Sequence, residues 1–414
     1  MTIKRQVPRW RDVKPLLGLH RPTLRRGKLA LERALTIGDL AKIAKHRVPA
    51  SVFDYVAGAA LDELSLSRAR SAFSSVEFHP RVLRDVSKVD TGITISGMRS
   101  ELPLILAPTG YTRMMHYIGE PAVARAAERF GIPYCLSTMG TTSVEALAAE
   151  VPGVRRWFQL YLWKDRVQSN DFVIRAREGG YEVLVLTVDT PVSGMRLRDT
   201  RNGLTVPPKI RPSTFFDMAL HVPWWFNLLT TAPLEFATFK NYNKSLPELA
   251  DQVFDPSATM SDIAWLRQTW SGTLIVKGVQ TIADAVLLAD LGVDGIIISN
   301  HGGRQLDRGA APLEVLPTFV ASVGDRLDVY IDGGVMSGGD VLAAMAMGAK
   351  GVLVGRAYLY GLMAGGQAGV ERTLEIFRDE IQNTMKLLGI ASLSELNSDF
   401  VKLRLPLQPG DPHN

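Results

Sequence analysis

The residues best equipped for chemistry sit together in one run, Ser299-Asn300-His301-Gly302-Gly303-Arg304-Gln305-Leu306-Asp307. His301 can move a proton near neutral pH. Arg304, one loop turn later, can hold a carboxylate through two parallel hydrogen bonds. Gly302 and Gly303 permit a tight turn and close approach to a ligand. Taken alone, the run also fits an ordinary glycine turn with His and Arg on the surface. Its position favours chemistry. Ile296-Ile297-Ile298 reads as a buried strand, and a strand ending in an ionisable cluster is how a barrel presents catalytic groups.

The same pattern recurs along the chain. Short apolar runs at Leu102–Pro108, Ile132–Ser137, Arg156–Tyr161, Val183–Asp189, Thr273–Gly278, Gly295–Asn300, Asp328–Asp332 and Gly351–Gly355 alternate with amphipathic or Ala-rich segments such as Glu120–Phe130 and Asp340–Met347. Eight strand–helix units predict an α/β fold of the TIM, or (β/α)8 barrel, type. A doubly wound open sheet competes with it. The GxGxxG expected after that fold's first strand is absent, and Pro108-Thr109-Gly110-Tyr111 stands there instead. Polar residues collect where the runs end: Thr109, Ser137, Gln159 and Tyr161, Thr187 and Asp189, Lys277, Ser299 and His301, Asp332 to Gly334, and Gly355-Arg356. A barrel opens all these ends onto one face.

Two tasks can be assigned to that face. Ile331-Asp332-Gly333-Gly334 and Val354-Gly355-Arg356 follow strands seven and eight, where barrels often hold a phosphate on backbone N–H groups. The second task is acid–base chemistry on a small anion. Arg196 and Arg304 can clamp a carboxylate. Asp189 can pair with His301 and fix its tautomer, leaving His301 as general base. Tyr55 and Tyr161 can donate hydrogen bonds to the substrate. Lys277 needs an anionic partner if buried, either an electron-rich cofactor ring or a carboxylate such as Asp332.

Around this face the chain divides into a basic arm (1–35), a barrel domain (36–390) and a tail (391–414). A helix opens at Thr36-Ile37-Gly38-Asp39-Leu40 with Thr36 or Asp39 as its cap. A closing amphipathic helix runs from Gly369 to near Gly389. The rhythm breaks at about 197–270, an insertion after strand four that contains Val222-Pro223-Trp224-Trp225-Phe226. Those aromatics suit a membrane interface or packing over the barrel or a neighbouring subunit.

The 414 residues are 46% hydrophobic, enough for a sizeable core. One cysteine, Cys135, excludes an intrachain disulfide framework. No apolar run approaches the roughly 18 residues of a membrane span, and Met1 to Asp12 lacks the apolar core of a signal peptide. The expected location is the cytoplasm, free or peripheral on the inner face of the cell membrane. Residues 1–28 carry nine basic residues against one acid, so the remainder is net −3 although the chain is +5. This arm can meet anionic lipid or lie over its own acidic body. Nucleic acid would rest on the arm alone and is not an expected partner, and no metal site is expected.

The runs Phe53-Asp54-Tyr55, Ala107-Pro108-Thr109, Leu136-Ser137-Thr138, Phe158-Gln159-Leu160-Tyr161, Leu186-Thr187-Val188-Asp189-Thr190-Pro191 and Val276-Lys277-Gly278 occur in order with Ser299–Asp307, Asp332-Gly333-Gly334 and Gly355-Arg356. Together they resemble the FMN-dependent 2-hydroxy-acid dehydrogenases and oxidases over residues 36 to 390. The resemblance implies oxidation of an L-2-hydroxy acid to the 2-oxo acid, with two electrons passing to FMN. It implies His301 as base with Asp189, Arg196 and Arg304 on the substrate carboxylate, and Tyr55 and Tyr161 on its hydroxyl side. FMN would be bound by Ala107, Pro108, Thr109, Ser137, Gln159, Thr187, Lys277 and Ser299, with its phosphate at Asp332, Gly333, Gly334, Gly355 and Arg356. Lys277 would lie by the N1–O2 edge of the flavin.

Some positions depart from the pattern. Met139 and Ser193 stand where glycolate oxidases carry Trp and Leu, so the substrate's side-chain pocket differs. Thr109-Gly110-Tyr111-Thr112-Arg113 replaces the commoner run, and Met336 stands where an Arg near the phosphate is common. The arm and insertion are similar to those of bacterial respiratory L-lactate dehydrogenases, which implies L-lactate as substrate and a quinone or other respiratory acceptor. An oxygen-using oxidase of mandelate-like or longer acids, producing hydrogen peroxide, is the alternative. A flavin-binding redox sensor is disfavoured by the intact base–carboxylate pair. The resemblance also implies a homo-oligomer, a tetramer.

Overall fold

A computed structural model describes residues 9–13, 26–204, 211–237 and 254–404. Most of the basic arm and the end of the tail lie outside the described residues. Eight parallel strands close into a barrel: β4 (Leu104–Leu106), β5 (Tyr134–Ser137), β6 (Arg156–Leu160), β7 (Val183–Thr187), β8 (Thr273–Val279), β9 (Gly295–Ile298), β10 (Asp328–Ile331) and β11 (Val352–Val354). Neighbours follow chain order, and β11 pairs with β4 to close the ring. Seven fall inside the runs expected from sequence, and β8 extends one residue past its run, to Val279. The open-sheet reading is excluded.

Alternation along each strand divides the core in two. Ile105, Cys135, Trp157, Val183, Val185, Ile275, Ile297, Tyr330 and Leu353 fill the barrel interior. Their neighbours, such as Leu184 and Leu186 of β7, pack outward against the helices. Two residues beyond the interior residues, the same inward parity reaches the C-terminal mouth. There it presents Ala107, Ser137, Gln159, Thr187, Lys277, Ser299, Asp332 and Gly355. One period-two pattern therefore makes both the apolar plug and the polar ring above it.

The other end is covered by a hairpin, β2 (Ile93–Ile95) with β3 (Met98–Ser100). Its Ile95 joins the interior cluster, and the Ser96 hydroxyl meets the Tyr330 hydroxyl at 3.2 Å.

The first barrel-domain helix, Ile37–Lys45, starts as expected. Thr36 Oγ1 accepts the Asp39 N–H at 3.1 Å, and the Asp39 carboxylate accepts the Thr36 N–H at 3.2 Å. Both candidate residues thus share one capping box. The closing helix is longer than expected. It begins at Arg356, breaks at Gly365-Gly366 and ends at Leu388 before a left-handed Gly389. The segment read as a tail is folded as far as Arg404. Its β12 (Val401–Leu403) pairs antiparallel with β1 (Val76–Phe78), a three-residue alternation too short to signal itself. The described parts of the insertion contain the helices Leu197–Asn202, Pro212–Leu220, Val222–Leu229 and Met260–Thr269.

Candidate active site

The polar ring opens into a cavity of about 500 Å³. From the strand ends it is lined by Ala107, Pro108, Thr109, Ser137, Gln159, Tyr161, Thr187, Lys277 and Asp332. From the loops come Arg196, His301, Arg304, Gly333, Gly334, Gly355 and Arg356, and from the Ala50–Ala57 helix comes Tyr55. Of the expected site residues, Asp189 and Ser299 stand just behind this lining. Asp189 Oδ1 accepts from His301 Nδ1 at 3.0 Å, and the Ser299 hydroxyl accepts from Lys277 Nζ at 2.9 Å.

The electrostatics follow from burial. Asp189 is nearly inaccessible, which opposes its ionisation, yet His301 and Lys277 outweigh that and hold its pKa below the ordinary carboxylate value. Lys277 is likewise buried, but Asp332, 3.1 Å away, and Asp189 push its pKa up. Lys277 thus has the carboxylate partner that sequence allowed, in a mouth that keeps room for a ligand. His301 adopts a left-handed backbone (φ 56°), uncommon for a residue with a side chain. Its Nδ1 is held by Asp189, so Nε2 is the ring nitrogen left for a ligand.

The arginines are preset by backbone carbonyls. Arg304 donates to the carbonyl of Tyr55 and, at 3.4 Å, to that of Gly58, with its guanidinium 4.8 Å above the Tyr55 ring. Arg356 donates to Val56 at 2.9 Å and Gly58 at 2.8 Å. Both cations therefore meet the carbonyl end of the Ala50–Ala57 helix, its partially negative pole. Neither has a carboxylate in direct contact among the described residues. Burial, then the neighbouring Arg304, pulls the pKa of Arg356 down to about 10. Burial and Arg196 lower that of Arg304. Arg196 is steadied by Asp199 at 2.8 Å.

Sequence reading missed one wall. The Leu64–Ser74 helix turns Ser67, Arg70, Ser71 and Ser74 toward the cavity. Their three- and four-residue spacing was the available signal. Arg70 is fixed by Asp340 and by the Gly334 carbonyl at 2.6 Å. Asp307 holds this helix's start, accepting the Ser65 N–H at 2.8 Å and the Asp62 N–H at 3.2 Å. Of the two positions expected to reshape the side-chain pocket, Met139 lines the cavity. Ser193 is exposed instead, and the next residue, Gly194, is where a side chain would meet the Arg304 carbonyl. Met336 lines the cavity near Gly334, as expected.

The aromatic insertion splits its expected roles. Trp224 is partly buried and donates to the Met114 carbonyl at 2.8 Å, so it packs over the barrel. Phe226 is 54% exposed.

Several buried polar atoms of the mouth have no protein partner: Gln159 Nε2, Thr187 Oγ1, Asp332 Oδ1 and Asp189 Oδ2. Such atoms are costly unless a ligand satisfies them. With Lys277 among them and Gly333 and Gly334 at φ 87° and 82° exposing backbone beside Arg356, the residues present fit a cofactor with a heteroatom-rich ring and a phosphate.

A barrel with this mouth is a phosphate-bearing-cofactor enzyme acting on a small anion. The chain belongs to the FMN-dependent dehydrogenase family, whose model matches residues 44–403. Its cofactor is FMN, and its reaction is oxidation of a 2-hydroxy acid. It is 50% identical over 401 residues to a protein provisionally named L-lactate dehydrogenase in Mycobacterium tuberculosis, covering 97% of each chain. It is 39% identical over 375 residues to an L-lactate dehydrogenase of Caulobacter vibrioides, covering 89% of this chain and 97% of that one. Among solved structures it resembles a monotopic membrane protein, (S)-mandelate dehydrogenase. The TM-score is 0.86 and the identity 35%, over 90% of this chain and all of that one.

Proposed function

We propose that this enzyme oxidises L-lactate to pyruvate and delivers the electrons to a quinone at a membrane surface. The observation that carries the chemistry is the His301–Asp189 pair at 3.0 Å beside two guanidinium groups, those of Arg196 and Arg304, in one cavity. Arg196 and Arg304 bind the substrate carboxylate. Tyr55 and Tyr161 orient the 2-hydroxyl. His301 Nε2 takes up one of the two protons the hydroxy acid loses, and Asp189 stabilises the charge that develops on the ring. When bound, FMN supplies the acceptor for the two electrons. Lys277 would hold positive charge beside the cofactor ring, and Gly333, Gly334, Gly355 and Arg356 would hold its phosphate.

The lactate assignment is supported by the two lactate-named relatives. The membrane contact is supported by the helices Pro212–Leu220 and Val222–Leu229. They leave Phe215, Phe216, Leu220, Val222, Phe226 and Leu229 more than half exposed, which is unusual for clustered large apolar residues of a monomer. Among the described residues no helix is long and apolar enough to cross a membrane.

The test is the visible spectrum of the purified holoenzyme before and after anaerobic L-lactate, and again after admitting air. Bleaching that persists in air is expected. Bleaching reversed at once would give the acceptor role to oxygen, and a flavin untouched by lactate would overturn the substrate assignment.

A further inference from the structure

Seven non-glycine residues among those described have positive φ, and two of them, His301 and Tyr111, line the cavity. Tyr111 sits at φ 56°, ψ 34°, at the entry to the Thr112–Met115 helix. A tyrosine is sterically disfavoured there, and such strain persists only where the surroundings enforce it. Three contacts do so. The Tyr111 N–H donates to the Met139 carbonyl at 3.0 Å. This approach needs the bare Gly110, whose Cβ would fall 2.9 Å from that of Met139. The Tyr111 ring meets buried Phe236 edge-on, with centroids 4.3 Å apart at 66°. Arg113 binds the chain just before Phe236, donating to the Ala232 carbonyl at 2.7 Å and the Thr231 hydroxyl at 2.9 Å.

Tyr111 and Met139, joined by that backbone bond, line the same cavity as Arg196 and Arg304. A substrate whose carboxylate occupies Arg196 and Arg304 directs the side chain on its C2 to another part of this cavity, where Tyr111 and Met139 form part of the wall.

We propose that Tyr111, locked by Phe236 of the insertion, is the specificity-determining residue that restricts this enzyme to 2-hydroxy acids with short aliphatic side chains. The proposal deepens the lactate reading and rests on it for the substrate's name. A rigid aromatic wall admits a methyl group and excludes a phenyl ring. Size discrimination by an apolar wall is typically about 10–200-fold.

The test compares the holoenzyme with Tyr111→Asn, short and tolerant of left-handed backbone, and with Tyr111→Phe. Two readouts are taken. One is the Kd ratio of phenylglyoxylate to pyruvate, from perturbation of the bound flavin's spectrum. The other is the kcat/KM ratio of (S)-mandelate to L-lactate with a dye acceptor. Tyr111→Asn should shift both ratios at least about tenfold toward the phenyl compound, and Tyr111→Phe should hold them within about twofold of wild type. If Tyr111→Asn fails to retain FMN, Tyr111→Gly, which relieves the backbone strain, is read in its place. Ratios unchanged in a flavin-loaded truncation overturn the proposal. If wild type oxidises neither acid, the lactate reading fails, while the Kd ratio still decides the role of Tyr111.

Discussion

The side-chain amide of Gln305 donates from Nε2 to the backbone carbonyl of Asp189 at 3.0 Å. The same nitrogen donates to Val192 at 2.9 Å, and Gln305 Oε1 accepts the Gly194 N–H at 3.0 Å. Three hydrogen bonds thus tie the loop carrying His301 and Arg304 to the loop carrying Asp189 and Arg196. Both halves of the proposed machinery are placed by one neutral residue.

Gln305→Glu keeps the shape but turns an amide donor into an acceptor facing two carbonyls. The expected cost is about 1–3 kcal/mol, seen as roughly a 5- to 150-fold fall in kcat/KM for the hydroxy acid with flavin content unchanged. Activity within twofold of wild type would show that the two loops keep their register without this bridge.

His301→Gln should bind FMN normally and lose turnover by a factor of at least about 10² to 10⁴, the usual contribution of a positioned acid–base group. Asp189→Asn should fall less, because the imidazole remains. The pH sign follows from the depressed pKa of Asp189. Its ionic stabilisation is complete above the ordinary carboxylate value and is lost as pH falls through the lower folded value. Melting curves of wild type and Asp189→Asn should therefore differ at neutral pH and converge only in acid. Persistent turnover by His301→Gln would remove His301 from the proton's path.

Arg356 gives the cofactor site a pH signature. Without a carboxylate in contact its pKa lies at about 10, and a neighbouring phosphate would raise it. The gain in FMN binding should be complete below about pH 10 and fade as pH rises from there toward the higher pKa of the bound state. Riboflavin, lacking the phosphate, should show no such loss. Arg356→Ala should weaken FMN by about 1.5–3 kcal/mol, the range for a charged hydrogen bond. Fluorescence titration of the flavin-stripped protein measures both, and equal pH dependence for the two flavins would take the phosphate away from Arg356.

The barrel was legible because its signal is local. Ile297 and Ser299, or Ile275 and Lys277, sit two residues apart on one inward line, so a strand and its polar end can be read together. Lys277 was legible only as a choice between a cofactor and a carboxylate, and Asp332 now supplies the latter at 3.1 Å. What stayed hidden depends on distant packing. Ser67 and Arg70 look like an ordinary solvated helix face until that helix docks against Gly334, 264 residues beyond Arg70. Asp307 lies in the recognised run, yet its work is to hold the start of a helix at Ser65. The exposure of Ser193 was not legible, because spacing along a loop does not reveal which of its side chains face the cavity.

The lone Cys135 lies inside the closed barrel with no accessible surface, and burial drives its thiol pKa far above the ordinary value. Alkylating reagents need both access and thiolate, so they can modify this chain only when the eight-stranded ring opens. The natural sequence thus contains a single-site timer for barrel opening. Its labelling rate, followed by mass with and without FMN, reports how far the cofactor holds the ring shut.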